Sequence, residues 1–203
     1  MYLPLWITWK RTQKTRNCSI YYPQSKKRVQ GLVTIIESML SVLKRQNRLN
    51  ISEVNLPETI RQCEQEVKSL YPQKKYHFEI LNPEGISYFA TDGVRVARCL
   101  RNLLENALKY SDEGVKITVS LKHMQNRIQI AVRDTGWGIP KKAQKRLGEQ
   151  FYRIENKNKP ERKGLGIGLS SVILLCKELK GHFAFQSEEG QGSVFYVELG
   201  KVG

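Results

Sequence analysis

Two amides and one ammonium share a flank of the same segment. Asn102 and Asn106 lie four residues apart and Lys109 three further on, which projects all three side chains from one side of a helix. Leu100, Leu103, Leu104, Ala107 and Leu108 recur at the complementary positions and define its buried face. An amide oxygen is a hard ligand of the kind Mg2+ accepts, and a lysine supplies a point charge to a polyphosphate. The same residues also suit a helix whose polar side is merely wet. Taken alone, the helix leaves both readings open.

Two glycine segments downstream bear on the choice. Asp134 ends an alternating apolar run and is followed by Gly136, Trp137, Gly138, Ile139 and Pro140. Glycine has no side chain to obstruct a flat ligand and tolerates unusual dihedrals. A carboxylate there accepts from the exocyclic amine of adenine, whereas guanine presents an acceptor at that position and is repelled. A ligand-free Asp-Thr-Gly turn is the alternative. Farther on, Gly164-Leu165-Gly166-Ile167-Gly168 leads into Leu169, Ser170 and an apolar helix. Free backbone N–H groups and the positive end of the dipole there suit an anion. The spacing is neither the G-x-G-x-x-G of a dinucleotide fold nor a G-x-x-x-x-G-K-[ST] loop. An amide-bearing helix followed by these two segments, in this order, is a specific combination.

The elements that must position these residues are legible in outline. Val29, Leu32, Val33, Ile36, Met39, Leu40 and Leu43 mark one broad helical stripe. Asn55-Leu56-Pro57-Glu58 is a helix start, with Asn as cap and Pro in the first turn, and Ile60, Cys63, Val67 and Leu70 form the buried face that follows. Tyr76, Phe78 and Ile80 alternate as a strand does, and Asn82-Pro83-Glu84-Gly85 is a turn before a second run, Ile86 to Ala90. Asp92 is placed to cap the amide-bearing helix. Val115–Val119 and Ile128–Val132 are expected as strands around a turn at Gln125-Asn126, with a short helix from Lys141 to near Gly148. Phe183–Phe185 and Val194–Val197 are expected to close the chain as strands. Helices and strands mix without strict alternation. The fold class expected is α+β: a two-layer α/β sandwich with a mixed sheet of about five strands and helices on one face.

Charge and cysteine content set bounds. The formal net charge is +15, but much of the excess sits before the first acidic residue, Glu37, in Lys10, Arg11, Lys14, Arg16, Lys26, Lys27 and Arg28. A basic arm of this kind suits solvent or a membrane surface better than sequence-specific nucleic-acid recognition. No apolar run approaches the roughly 20 residues of a bilayer span. The four cysteines are scattered, with no C-x-x-C pair, so neither a disulfide framework nor a zinc site is indicated and reduced cytosolic thiols are expected.

Asn102 to Ser111 resembles the N box of sensor histidine kinases, Asp134 to Ile139 their G1 box, Phe151 their F box and Gly164 to Leu169 their G2 box. The resemblance covers about Tyr76 to Leu199. It implies an ATP-binding domain of the superfamily that includes gyrase, the mismatch-repair ATPases and a heat-shock chaperone. By that resemblance Asp134 reads adenine and Asn106 holds Mg2+, while Asn102, Lys109 and Tyr110 approach the nucleotide. Arg153 reaches the terminal phosphate, so Asn102, Lys109 and Arg153 are the catalytic candidates. Gly136, Gly138, Ile139, Phe151, Gly164, Leu165, Gly166, Gly168 and Leu169 line the ATP, and Ile154 to Lys163 form a lid.

Three divisions are expected: a basic arm over 1–28, a helical segment over 29–72 resembling the second helix and linker of a dimerisation hairpin, and the ATP-binding domain over 73–203. Hydrolysing relatives carry Glu where Asn102 stands. An amide takes no proton at neutral pH, which favours transfer to another nucleophile over hydrolysis. Glu105 lies about 100° around the helix from Asn106 and is poorly aimed at the same water. The resemblance departs at two points: sensor kinases carry a phosphoacceptor His before an acidic residue on a helix, and the histidines here are His77, His123 and His182, all inside the ATP-binding region. Gly148 also stands where many relatives have an additional Phe. The expected function is thus a histidine-kinase catalytic fragment acting on a His of another chain, with a response regulator as further partner and cytoplasmic or membrane-associated location. A non-catalytic ATP-binding or dimerisation module is the alternative, and a basic nucleic-acid binder a third.

Overall fold

The computed structural model describes residues 48–154 and 166–200. The basic arm, nearly all of the expected 29–49 helix, the 155–163 part of the expected lid, and Gly164 and Leu165 lie outside the described residues. The described elements are β1 (Ser52–Asn55), α1 (Leu56–Leu70), β2 (Tyr76–Leu81), β3 (Tyr88–Thr91), α2 (Gly93–Lys109), β4 (Val115–Met124), β5 (Arg127–Asp134), α3 (Lys141–Gln144), α4 (Gly168–Glu178), β6 (His182–Glu188) and β7 (Gly192–Gly200).

Five strands form a mixed sheet in the order β2-β4-β5-β7-β6. The β2–β4 pair is parallel and the other pairs are antiparallel. Alternation along β4 and β5 buries Ile117, Val119, Leu121, Ile128, Ile130 and Val132, while Lys116, Lys122 and Arg133 are exposed. That two-residue period gives the sheet one face for the helices and one for solvent. Leu100, Leu103, Leu104 and Leu108 of α2 join the same core as these strands and as Val172, Leu175 and Leu179.

Local signals act where the sequence places them. The Asn55 side chain caps α1 by accepting from the Glu58 N–H at 3.0 Å, and Leu56, Ile60, Cys63 and Val67 are its buried stripe. Leu70, expected on that stripe, is instead 66% exposed at the last turn. The β4–β5 turn falls at Gln125-Asn126, with Gln125 at φ +53°.

Two expectations change. The run expected over Ile86 to Ala90 is a strand over Tyr88–Thr91, and it pairs with β1 in a separate two-stranded sheet. β1 is too short for periodicity to announce; Val54 opposite Phe89 gives it its buried anchor. The domain boundary expected at residue 73 also moves, since one compact unit spans Leu49–Gly203. Helix α1 belongs to that unit because its apolar stripe is buried in the same core as α2.

Candidate functional site

Helix α2 is set at both ends. At its start Asp92, 2% exposed, accepts from the backbone N–H of Asn50 at 2.9 Å and of Arg95 at 3.0 Å. The Arg95 guanidinium bonds the same carboxylate and donates to Glu178 of α4 at 2.9 Å. Burial pushes the Asp92 carboxyl up, but those backbone donors and the Arg95 guanidinium outweigh it and hold the group below its ordinary value. Sequence reasoning found the cap but missed Arg95 and Glu178. Arg95 was visible at the i+3 position, whereas Glu178, 83 residues away, gave no local signal.

On the polar flank Asn102, Asn106 and Lys109 are all half-buried. The Asn102 amide donates to the Arg98 carbonyl at 2.9 Å, and its oxygen lies 3.1 Å from where a Cβ on Gly168 would sit. The N-terminus of α4 therefore faces Asn102. The Lys109 ammonium stands 5.6 Å from the centre of the Tyr110 ring. Glu105 is turned toward α1, accepting from the Tyr71 hydroxyl at 3.4 Å, and it lines a hollow of about 440 Å³ with Glu66, Leu70, Arg98, Arg101 and Asn102, so Asn102 borders this hollow as well as the start of α4. That hollow is not built around Asp134. Glu105 is placed as its helical angle predicts.

The loop after β5 closes against the end of α2. Asp134 is 7% exposed, and its Oδ1 accepts from the Gly136 N–H at 2.8 Å. Burial pushes its carboxyl up to about 6, partly offset by the N–H groups of Gly136 and Ser193. Gly136 is required by close approach: a Cβ there would lie 2.6 Å from the Tyr110 carbonyl oxygen and 2.8 Å from Asp134 Oδ1. The Trp137 N–H donates to that Tyr110 carbonyl at 2.9 Å, and the Tyr110 N–H donates to the Asn106 carbonyl at 2.9 Å. One glycine thus joins the carboxylate to the last turn of the amide helix. On the far side Gly138, at φ +63°, leaves only 1.8 Å between a would-be Cβ and the Glu188 carbonyl, and the Gly190 N–H donates to the Trp137 carbonyl at 2.8 Å. Ile139 is buried in the core just beyond.

The remaining candidates separate. The Phe151 N–H donates to the Gly166 carbonyl at 3.1 Å, so both ends of the intervening segment meet. The Phe151 ring, expected to line the ligand, is 71% exposed at φ +64°. At Gly148, where the additional Phe is absent, a Cβ would lie 2.3 Å from Ile173 Cδ1, so Ile173 of α4 fills that place. Leu169 packs against the hydrophobic core. Arg153 is exposed, and its charge reaches Tyr110: burial raises the Tyr110 hydroxyl above its ordinary value while Arg153 lowers it in part. His77, His123 and His182 are exposed strand residues.

Asp134 and the end of α2 thus meet at Gly136, and the start of α4 meets Asn102, which groups a buried acceptor with amides, an ammonium and a helix N-terminus. Such a set can accept from a base amine and hold an anion. Among the described residues no group of three His, Cys, Asp or Glu is placed to hold a metal unaided. An Mg2+ sharing its shell with phosphate oxygens and waters needs only one or two protein oxygens. The Asn106 amide, half-buried on this flank, fits that need.

Fold and site together define an ATP-binding domain of the histidine-kinase type. Residues 91–202 match the family described as "Histidine kinase-, DNA gyrase B-, and HSP90-like ATPase", and the chain belongs to that family. It is 32% identical over 168 residues to the adaptive-response sensory kinase SasA of Thermosynechococcus vestitus, covering 81% of this chain and 44% of that protein. The chain spans less than half the length of such relatives. Its fold is shared with full-length ShkA in complex with AMPPNP (TM-score 0.66, 23% identity, 76% of this chain and 32% of that one). It is shared too with histidine kinase ThkA in complex with response regulator TrrA (TM-score 0.63, 22% identity, 96% of this chain and 54% of that one). Among the described residues no helix is long and apolar enough to cross a membrane.

Proposed function

We propose that this chain binds Mg-ATP in the cleft between Asp134 and α2 and transfers the γ-phosphoryl group to a histidine on another chain. The observation that carries the reading is the convergence at Gly136, whose added Cβ would lie 2.6 Å from the Tyr110 carbonyl and 2.8 Å from Asp134 Oδ1. A single nucleotide can then touch the carboxylate with its base and the amide helix with its phosphates.

In this reading Asp134 accepts from the adenine amine, and Gly136 and Gly138 let the ring approach the backbone. Asn106 holds the Mg2+, which when bound neutralises phosphate charge. Lys109 and Arg153 bind the phosphates, Asn102 orients them, Gly166 and Gly168 offer backbone N–H groups at the start of α4, and Gly164 lines the phosphate side by the resemblance. The imidazole nitrogen of the acceptor bonds to the γ-phosphorus as the bond to the β–γ bridging oxygen breaks, and ADP departs. An amide at Asn102 cannot take a proton from water, which supports transfer over hydrolysis.

The acceptor is proposed on a hairpin helix of another chain because His77, His123 and His182 all sit on strands of the sheet. A response regulator downstream is proposed by likeness to ThkA, whose solved structure holds one. A cytoplasmic setting, with the basic arm at a membrane surface, belongs to the same proposal. The histidine placement equally suits a non-catalytic ATP-binding module. Labelled Mg-ATP incubated with this chain and a separate His-bearing hairpin separates the two: label on the hairpin is expected. Nucleotide binding without label leaves the module reading, and no binding at all removes both.

A further inference from the structure

Trp137 is the one large side chain in the Gly136–Gly138 turn, and the adenine contact proposed above has no use for it. Its backbone is held from both walls: the N–H donates to Tyr110 at 2.9 Å and the carbonyl accepts from Gly190 at 2.8 Å. Its ring meets the Tyr110 ring edge-on, with centroids 6.4 Å apart and planes 71° apart, the geometry aromatic pairs prefer. Two cations and Glu105 also act on Tyr110. The Lys109 ammonium lies 5.6 Å from its ring centre, and Arg153 is close enough to act on its hydroxyl. Tyr110 itself is 39% exposed and caps the end of α2.

We infer that Trp137 is a positioning residue for phosphate binding: it fixes the Tyr110 ring, and the ring fixes the Lys109 ammonium. The loop that carries the base-reading carboxylate thereby also sets the cation at the opposite end of the nucleotide. The physical reason is that a lysine side chain has several free torsions to fix, and an aromatic face narrows where its ammonium rests. The inference rests on the ATP reading above and adds a role that reading does not assign.

The test compares ligands with and without phosphates. Trp137→Leu keeps apolar bulk and removes the ring edge; Trp137→Phe keeps an aromatic edge. Calorimetric affinities are measured for ATP, ADP and adenosine, on variants whose thermal unfolding is cooperative. Trp137→Leu is expected to weaken ATP and ADP by about threefold to tenfold and adenosine by less than about twofold, with Trp137→Phe restoring most of the loss. In a Lys109→Met background the further loss from Trp137→Leu is expected to vanish, because the two side chains act in series. Equal losses for adenosine and ATP would overturn the inference, since Trp137 would then only shape the base pocket. Full additivity with Lys109→Met would overturn it too. If Trp137→Leu does not fold, Trp137→Met in the same cycle carries the test with the same expected outcomes. Wild-type protein that binds none of the three ligands refutes the ATP reading itself, and this inference with it.

Discussion

Asp92 and Asp134 are both buried aspartates at strand-to-loop junctions, yet their surroundings drive them in opposite directions. Asp92 receives two backbone N–H groups and a guanidinium, and its carboxyl is held below the ordinary value. Asp134 receives the N–H groups of Gly136 and Ser193 with no cation among the causes of its shift, and burial pushes it up to about 6. One carboxylate is satisfied by the fold and anchors α2 and α4. The other is balanced by backbone N–H groups alone, with no guanidinium beside it. A buried charge without a charged partner weakens the fold, so the satisfied aspartate serves structure, and the other is the one proposed above to read the ligand.

The largest effect is expected from breaking the satisfied side. Asp92→Ala removes a helix cap and leaves the guanidinium of Arg95, 13% exposed, without its closest carboxylate. Urea unfolding should show a loss of about 3–5 kcal/mol; a loss under about 1 kcal/mol would mean Glu178 alone balances Arg95.

Asp134→Asn should do the reverse. Its amide oxygen still accepts from Gly136, so the apo fold should gain up to about 2–3 kcal/mol at pH 8 from removal of the desolvated charge. Affinity for ATP should fall at least about a hundredfold, since the amide presents a donor to the adenine amine. Unchanged ATP affinity in a folded variant would remove Asp134 from the site.

The pH dependences should also oppose one another. Burial pushes the folded Asp134 carboxyl up to about 6, above its ordinary value of 3.8. The folded state therefore binds a proton the unfolded chain has released between those values, and this group's contribution to stability falls as pH rises through that window. Adenosine, which carries no phosphate to titrate, should bind about tenfold more weakly at pH 5 than at pH 7. For Asp92 the sign is reversed: its stabilisation is present above 3.8 and is lost as pH falls below that value toward its lowered folded pKa. Flat adenosine affinity from pH 5 to 7 would contradict the environment described for Asp134.

The smallest effect is expected at Glu105→Gln. Glu105 faces Tyr71 across the α1–α2 hollow, so phosphotransfer to an added hairpin should change by less than about twofold, within the range of a surface substitution. A large loss would mean that Glu105 turns toward the nucleotide in the working complex.

Much of the architecture was written in local patterns. The period of Leu100, Leu103, Leu104, Ala107 and Leu108 marks α2, Asn55 and Asp92 mark two helix starts, and the Gln125-Asn126 pair marks a hairpin, because each signal lies within one turn of chain. The order of the amide helix and the two glycine segments was legible for the same reason, and with it the family. What only the tertiary structure decided are the contacts that no neighbour in sequence announces. β1 pairs with β3, β2 runs parallel to β4, and α1 joins the ATP-binding unit. Leu169 packs against the core, the Phe151 ring faces outward, and Ile173 fills the space at Gly148. The opposite states of Asp92 and Asp134 are decided there too. A carboxylate's charge depends on how many donors and how much water surround it, and those are set by residues such as Asn50, Glu178 and Ser193 that arrive only when the chain folds.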